Sequence, residues 1–392
     1  MDGSATGQIV PRRLLVWSAG VSWDAVAGTD RHMATALCEF ADVLWVDPPL
    51  SPVTPARFAG SARRVPWPNL QPIASNMLRL TPKALPFHSR YAVWRTTWPL
   101  VRAQIRWALT KLKRRPHAII AAHLDNVLGE WGTGVVNVLY GTDDFVSGAS
   151  LMKLDVDREA RQERAQLAKA DIAVAVSTEL AHRWQPLIGS APVVVIPNGV
   201  NVDAYRAPLQ AGNEVTVELP RPIAGVVGQF SPRIDIDLLW SIVEAGCSLL
   251  LVGPVDPGWE PKRFSQLVSL ARVHWVGRVS FNKVPGYLRS VDVGVTPYAD
   301  SPFNRAAFPL KTLEYLAAGK PVVSTDLPSV NLLKCDQIFV ANCDNFGATV
   351  RLVASLANTS ELIQRRVEVA RQNAWEERAR AFARSIGLLN DS

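Results

Sequence analysis

Short apolar runs, each stopping at a polar residue, a glycine or a proline, alternate along this chain with stretches whose apolar residues recur every three or four positions. The runs read as buried strands and the stretches as amphipathic helices. Leu14–Trp17, Val43–Val46, Ala118–Ala122, Val135–Tyr140, the run from Ile172 to Val176 and the run from Val193 to Ile196 mark the first half. The run opening at Ile223, then Ser248–Val252, Val273–Val279, Val291–Pro297, Val322–Ser324 and Ile338–Val340 mark the second. Helices are expected over about 30–40, with Thr29 or Asp30 as cap, over 99–114 behind Pro99, over 155–170 facing solvent, after Pro309, and from about Ser360. Pro66-Trp67-Pro68 and the stretch from Pro82 to Pro86 read as loops. Strand and helix in regular alternation predict an α/β fold with parallel crossovers.

One such unit organises the rest. Val291–Pro297 is a strand, Tyr298–Arg305 a polar loop, and Pro309 sits where a helix start tolerates it. Leu310, Leu313, Leu316 and Ala317 share one helical face; Gly319 is placed to cap its end, and Pro321 stops it. The loop before this helix lies at the carboxyl end of a strand, where open α/β sheets bind ligands. A helix start there offers free N–H groups and partial positive charge to a phosphate. Lys311 adds a full charge, and Glu314 one turn on offers a carboxylate to hydroxyls; both residues are equally compatible with an ordinary solvated helix face. A second loop, Gly228 to Arg233 after the Ile223 run, brings a glycine that lets backbone approach a phosphate and an arginine that binds one bidentately.

The 392 residues predict two domains. The four cysteines, Cys38, Cys247, Cys335 and Cys343, form no C-x-x-C pair and no zinc spacing, which fits a reduced, cytoplasmic protein. Met1–Val10 lacks a basic leader, and no apolar run is long enough to span a membrane. The net charge of +7 is unevenly spread: between Pro48 and Leu124 there is no Asp or Glu, but there are thirteen Lys or Arg, leaving the remainder at −6. Trp67, Trp94, Trp98 and Trp107 punctuate this block, so residues 57–115 read as a surface for anionic headgroups, with a merely solvated basic face as the alternative. No recognition-helix, RRM or zinc pattern accompanies the charge, so nucleic acid is not expected as a partner.

The stretch Pro309–Ser324, Pro-Leu-Lys-Thr-Leu-Glu-Tyr-Leu-Ala-Ala-Gly-Lys-Pro-Val-Val-Ser, resembles the donor-binding motif of GT-B glycosyltransferases, especially the family 4-like bacterial enzymes of cell-envelope and polysaccharide synthesis. Pro197-Asn-Gly-Val200 is similar to a phrase of the same family, as are Ser22-Trp23-Asp24, Arg31-His32 and the run closing at Asp47-Pro-Pro. The family's motif has two glutamates separated by seven residues. Glu314 matches the second, while Ala306 stands at the first, so the sugar contact of that first carboxylate is missing.

The resemblance implies two Rossmann-like domains across a cleft: residues 1–205 for the acceptor, 206–371 for the nucleotide-sugar, and a final helix, about 372–392, packing back on the first. It implies transfer of a sugar to a hydroxyl of a lipid-linked or cell-envelope glycan, with retention, no metal and no cofactor. Catalytic roles fall to Arg233, Lys311 and His123; donor contacts to Gly228, Arg233, Arg278, Lys311 and Glu314; acceptor contacts to Trp23 and Asp24. For Trp23, Asp24 and His123 a purely structural role is equally open, and Asp143 and Asp144 fit either a family-like pair or a helix cap. The implied site is cytoplasmic, with a peripheral position at the inner face of the plasma membrane left open. Two other classes remain: an inactive sugar-nucleotide or glycan-binding protein of the same fold, and an NAD-dependent oxidoreductase, against which the missing G-x-G-x-x-G stands.

Overall fold

The computed structural model describes residues 12–54, 69–87, 91–208 and 215–390. Two sheets organise them. The N-terminal sheet contains β1 (Leu14–Ser18), β2 (Asp42–Val46), β3 (Asn69–Ala74), β4 (Met77–Thr81), β5 (Pro116–Ala121), β6 (Val136–Gly141), β7 (Ile172–Ala175) and β8 (Val193–Val195). Its order is β3-β4-β2-β1-β5-β6-β7-β8. Every pairing is parallel except that of β3 with β4. The C-terminal sheet contains β9 (Ile223–Val227), β10 (Ser248–Val252), β11 (Val273–Gly277), β12 (Val293–Thr296), β13 (Val322–Ser324) and β14 (Ile338–Val340). It is parallel throughout, in the order β11-β10-β9-β12-β13-β14. Both sheets are covered by helices on both faces, and so their central strands are continuous apolar runs.

The hairpin β3–β4 escapes the apolar pattern because its buried side includes a charge. Arg79 is 2% exposed; its Nε donates to Asp47 at 2.6 Å and its guanidinium reaches Asp24 at 3.0 Å. Asp47 also accepts from Thr81 Oγ1 at 2.8 Å and from the Trp45 indole and the Trp23 backbone N–H, both at 2.9 Å. A buried charge with this many partners is compensated, and the pair ties β4 to the end of β2.

Three helices differ from expectation. The first runs over Thr29–Leu37 with Gly28 as its N-cap, so Thr29 and Asp30 lie inside its first turn, where Asp30 accepts the Arg31 N–H at 2.8 Å. The long helix is Tyr91–Leu112, with Pro99 inside rather than at its start. Trp98, Val101, Ile105 and Ala108 bury one stripe of it against the sheet, and that packing carries the helix through the N–H that proline lacks. The helix Val156–Leu167, expected to face solvent, buries Glu163 and Gln166. Arg183 answers Glu163 at 2.6 and 2.9 Å. The polar loop before Pro309 also contains a short helix, Pro302–Ala306, started by the Ser301 side chain.

The chain crosses between the domains twice. After β8 it passes through Val200 and the helix Val202–Arg206 into the second domain. It returns after the helix Ser360–Gln372, which packs on the helix Leu310–Ala317, and the last helix, Trp375–Ser385, lies on Thr29–Leu37. The two passages touch through a bridge between Val200 and Ala374. Gly199 is needed there: a Cβ would stand 2.8 Å from the Trp375 backbone nitrogen. Phe382 from the last helix packs on Trp17 and Tyr140 in the first domain's core, and His117 Nε2 lies 2.7 Å from the Ile386 carbonyl.

Candidate functional site

The carboxyl ends of both sheets face a common cavity of about 810 Å³. On the C-terminal side two glycines shape the backbone. Gly228 follows β9 with φ +148°, and Gly253 follows β10 with φ +145°. A Cβ on Gly253 would stand 1.7 Å from the Gly228 carbonyl oxygen, so these loops pack backbone on backbone. The Trp275 indole on β11 donates to the Gly253 carbonyl at 2.9 Å and holds that contact from outside. Beside Gly228 the helix Leu310–Ala317 begins after Pro309 without a side-chain cap, leaving its first N–H groups open. A Cβ on Gly228 would be 3.9 Å from Lys311 Cε. The Lys311 ammonium is held by both oxygens of Glu314, at 2.9 and 2.7 Å. Tyr205 of the crossing helix lies close by; burial and the Glu314 carboxylate together push its hydroxyl well above its ordinary pKa. His32 of the first domain stacks on Trp375 at 5.5 Å, and its pKa is lowered by burial against the pull of Glu314.

Arg233 lines the cavity from the β9 loop, whereas Gly228, Lys311 and Glu314 lie outside its lining. Its Nε donates to Asn304 Oδ1 at 3.1 Å, while Asn304 Nδ2 donates to the carbonyls of Arg233 and Ala299 at 2.9 and 2.8 Å. The guanidinium lies over the rings of Phe303 and Tyr298, 4.7 and 5.6 Å from their centroids. Burial pushes the Tyr298 hydroxyl up, and Arg233 and Lys311 both pull it back, which places that ring within the field of both cations. Arg278 is exposed beyond Gly277 and does not line the cavity.

The N-terminal side supplies His123, Asp143 and Asp30. His123 Nδ1 accepts the Asp125 N–H at 3.1 Å, which assigns the proton to Nε2, where it is donated to Ser18 Oγ at 2.8 Å. Burial lowers its pKa, so the wall here is a neutral imidazole of fixed tautomer with both nitrogens engaged. The two aspartates after β6 divide their work. Asp144 caps the helix Phe145–Ala149, accepting from Ser147 N at 3.0 Å, and pairs with Arg183 at 2.8 Å. Asp143 faces the cavity opposite Arg233; desolvation pushes its carboxyl up to about 6, with Arg233 pulling the other way. Asp30, 6% exposed, is likewise pushed up to about 6 by burial.

Trp23 and Asp24 do not line the cavity. Trp23 packs edge-on against Trp45 at 5.2 Å and is covered by Arg31 at 4.1 Å, while Asp24 holds Arg79. Their effect on the cavity is indirect, through the loop whose Gly20, Val21, Val26 and Gly28 do line it. The sequence offers Asp30 only as a helix cap, and nothing in it marks Asn304 or Trp275; Gly253, at the end of an apolar run, carries a readable signal.

The basic block is partly consumed internally. Arg79 is paired as described, Arg114 bonds Asp42 at 2.9 Å, and Arg102 lies over the Trp131 ring at 5.3 Å and close to Glu130. Trp98 is buried in the core, whereas Trp107 is 37% exposed. Arg57, Arg63, Arg64, Trp67 and Arg90 lie outside the described residues. The exposed cations Arg106, Lys111, Lys113 and Arg115 gather at the far end of the helix Tyr91–Leu112. At 1.5 Å per residue Lys111 is roughly 20 Å along that helix from Trp98, which lines the cavity.

Residues 221–358 match the family model for Glycosyl transferases group 1. The putative teichuronic acid biosynthesis glycosyltransferase TuaH of Bacillus subtilis is 34% identical over 154 residues, 38% of this chain and 38% of that protein. The phosphatidyl-myo-inositol mannosyltransferase of Mycobacterium leprae is 33% identical over 167 residues, 39% of this chain and 40% of that protein. The chain thus aligns with about two fifths of the length of these curated relatives. The sucrose-phosphate synthase of Thermosynechococcus elongatus superposes with a TM-score of 0.71 at 18% identity, covering 95% of this chain and 98% of that one. At that identity the likeness shows the fold, which is GT-B, with a glycosyltransferase group 1 domain in its C-terminal half.

Proposed function

From the premise of a GT-B protein of the family 4-like kind, we propose that this chain transfers a sugar from a nucleotide-sugar to a hydroxyl of a cell-envelope glycan or its lipid-linked precursor. The observation that carries the reading is the junction of Gly228, Lys311 and the uncapped start of Leu310–Ala317, with Arg233 fixed nearby over Phe303 and Tyr298. In the reaction the bond from the sugar's anomeric carbon to the diphosphate breaks and its electron pair goes to the diphosphate. The acceptor oxygen forms the new bond and gives its proton to the departing phosphate oxygen. Cations and N–H groups aimed where that negative charge grows lower the barrier most. Lys311, Arg233 and the helix start fill this role, so metal independence is part of the proposal. In the same reading Glu314 turns from Lys311 to the ribose hydroxyls, the backbone near Gly277 and Arg278 borders the base, and His123 forms a neutral wall beside the sugar. Retention of configuration follows the family resemblance.

The names of the two curated relatives favour an envelope acceptor, and the exposed end of the basic helix favours an anionic membrane surface on the cytoplasmic side. No helix among the described residues is long and apolar enough to cross a membrane. The test is thermal shift with UDP-, GDP-, dTDP- and ADP-sugars on the wild type and Lys311→Ala. One charge-assisted contact is worth about 1.5–3 kcal/mol, so the donor that stabilises the wild type should bind the variant about tenfold to a hundredfold more weakly. Stabilisation by no nucleotide-sugar would remove the transferase reading. Ala306, at the position of the family's first glutamate, favours a second one, a binding protein of the same fold; donor binding without turnover in the presence of acceptor extracts would select it.

A further inference from the structure

The mouth of the cavity is unlike its floor. Asp30, Asp143, His123 and Arg233 make the floor polar. At the mouth, two loops of the N-terminal domain carry Val21, Val26, Leu151, Met152 and Leu154, exposed by 41, 75, 39, 58 and 47%, and all five line the cavity. The first domain also exposes Val53, Leu85, Phe87, Trp107 and Val156, but none of those lines the cavity; the five collar side chains are wet and gathered around one opening, which calls for an occupant. Both lips are built to hold them there. Met152 N–H donates to the Gly148 carbonyl at 3.2 Å and Leu154 N–H to the Ala149 carbonyl at 2.8 Å, unwinding from the helix Phe145–Ala149 with Lys153 at φ +56° between them. Arg31 donates to the Trp23 carbonyl at 2.9 Å and Asp24 holds Arg79, which fixes the opposite loop.

We infer that this collar seats the hydrocarbon chain of an amphiphilic acceptor whose sugar-bearing headgroup enters the cavity. The strip is continuous with the cavity wall, so one molecule can occupy both. Lys153, exposed on the collar, places a cation where headgroup meets chain, the position of a phosphate in a lipid-linked sugar. The hydrocarbon contact then lies at the cleft mouth, and the basic end of the helix Tyr91–Leu112 is left with headgroup charge alone. The headgroup half of this inference rests on the transferase reading; the chain half is tested separately.

The experiment uses the full chain with Val26→Glu and Met152→Glu, the two most exposed collar positions and the least able to disturb folding. Lys111→Glu/Lys113→Glu serves as the competing variant. The probes are vesicles of phosphatidylglycerol and phosphatidylethanolamine, and dodecyl maltoside below its micelle concentration against maltose. Wild type should bind the vesicles and prefer the dodecyl glycoside, and each collar substitution should weaken both about tenfold or more. The charge-reversed helix variant should keep its preference for the dodecyl glycoside. Donor thermal shifts should be unchanged in the collar variants. Vesicle binding that survives both collar changes, or that is lost only on reversal at Lys111 and Lys113, overturns the inference. So does equal response to maltose and its dodecyl glycoside, or a wild-type dimer that the collar variants dissolve, which would make a second copy the occupant. Loss of every donor shift in the wild type would instead strike the transferase reading and leave the collar result standing.

Discussion

Asp30 is a carboxyl group placed where folding gains nothing from its charge. It is 6% exposed, lines the cleft, and carries a pKa raised from an ordinary 3.8 to about 6, with burial outweighing the N–H of Arg31 at 2.8 Å. A folded-state pKa above the unfolded one means that the native state holds the proton longer. The contribution of Asp30 to stability is therefore greatest below about pH 4 and falls as pH rises to about 6, after which it is level. Each pKa unit is worth about 1.4 kcal/mol, so the rise corresponds to about 3 kcal/mol of stability forgone at neutral pH. Asp30→Asn keeps an oxygen for the Arg31 N–H and removes the ionisation. Urea unfolding followed from pH 4 to pH 8 should give coincident stabilities at the acid end, with the variant stronger by up to about 3 kcal/mol above pH 7. A difference independent of pH, or a wild type that gains on the variant as pH rises, would refute the argument. If the carboxylate serves the acceptor, the same variant should transfer more slowly while binding donor normally, a trade of stability for function.

Other substitutions probe the frame around the cleft. Arg79→Met leaves Asp47 buried with neutral partners only, and chemical denaturation should show a loss of about 3–5 kcal/mol. Asn304→Ala releases the Arg233 side chain and removes the Asn304 donor from the Ala299 carbonyl, while the Arg233 carbonyl keeps the Ala299 N–H; turnover should fall about tenfold or more, with a smaller change in donor affinity, measured as kcat against KM. Trp275→Phe keeps the ring contact with Phe264 but removes the N–H on the Gly253 carbonyl, about 1 kcal/mol, and donor titration should weaken several-fold.

The sheets were readable because a parallel strand buried on both faces is a continuous apolar run with an abrupt end, as at Ala118–Ala122. The residues proposed for the donor were legible as a group for a related reason: Gly228, Lys311 and Glu314 lie within the strand-end loops and helix that such runs delimit. Where a charge is buried, the pattern misleads. Arg79 hid the strand Met77–Thr81, and Glu163 made a packed helix look solvated. Pro99 read as a helix start because its local cost is known, while the burial of Trp98 and Val101 that overrides it is tertiary. Trp23 and Asp24 sit in the right loop, yet their partners Trp45 and Arg79 come from distant strands, and nothing in the local sequence announces them. Asp144 is the cap, through Ser147, and its second partner, Arg183, lies thirty-nine residues away where the local sequence does not announce it.

The two crossings of the chain, joined at Val200 and Ala374, work like the spine of a book. With both connections fastened side by side, a change in the angle between the covers would turn about that line, and sliding one past the other would break the bridge. Points near the spine travel little during such a swing. Tyr205, Trp375 and His32 all lie at this margin, and Glu314 with Lys311 is within their electrostatic reach. The charged corner proposed for the diphosphate would thus keep its geometry if the angle between the covers changed, and that angle would set how far the floor carboxylates stand from Arg233.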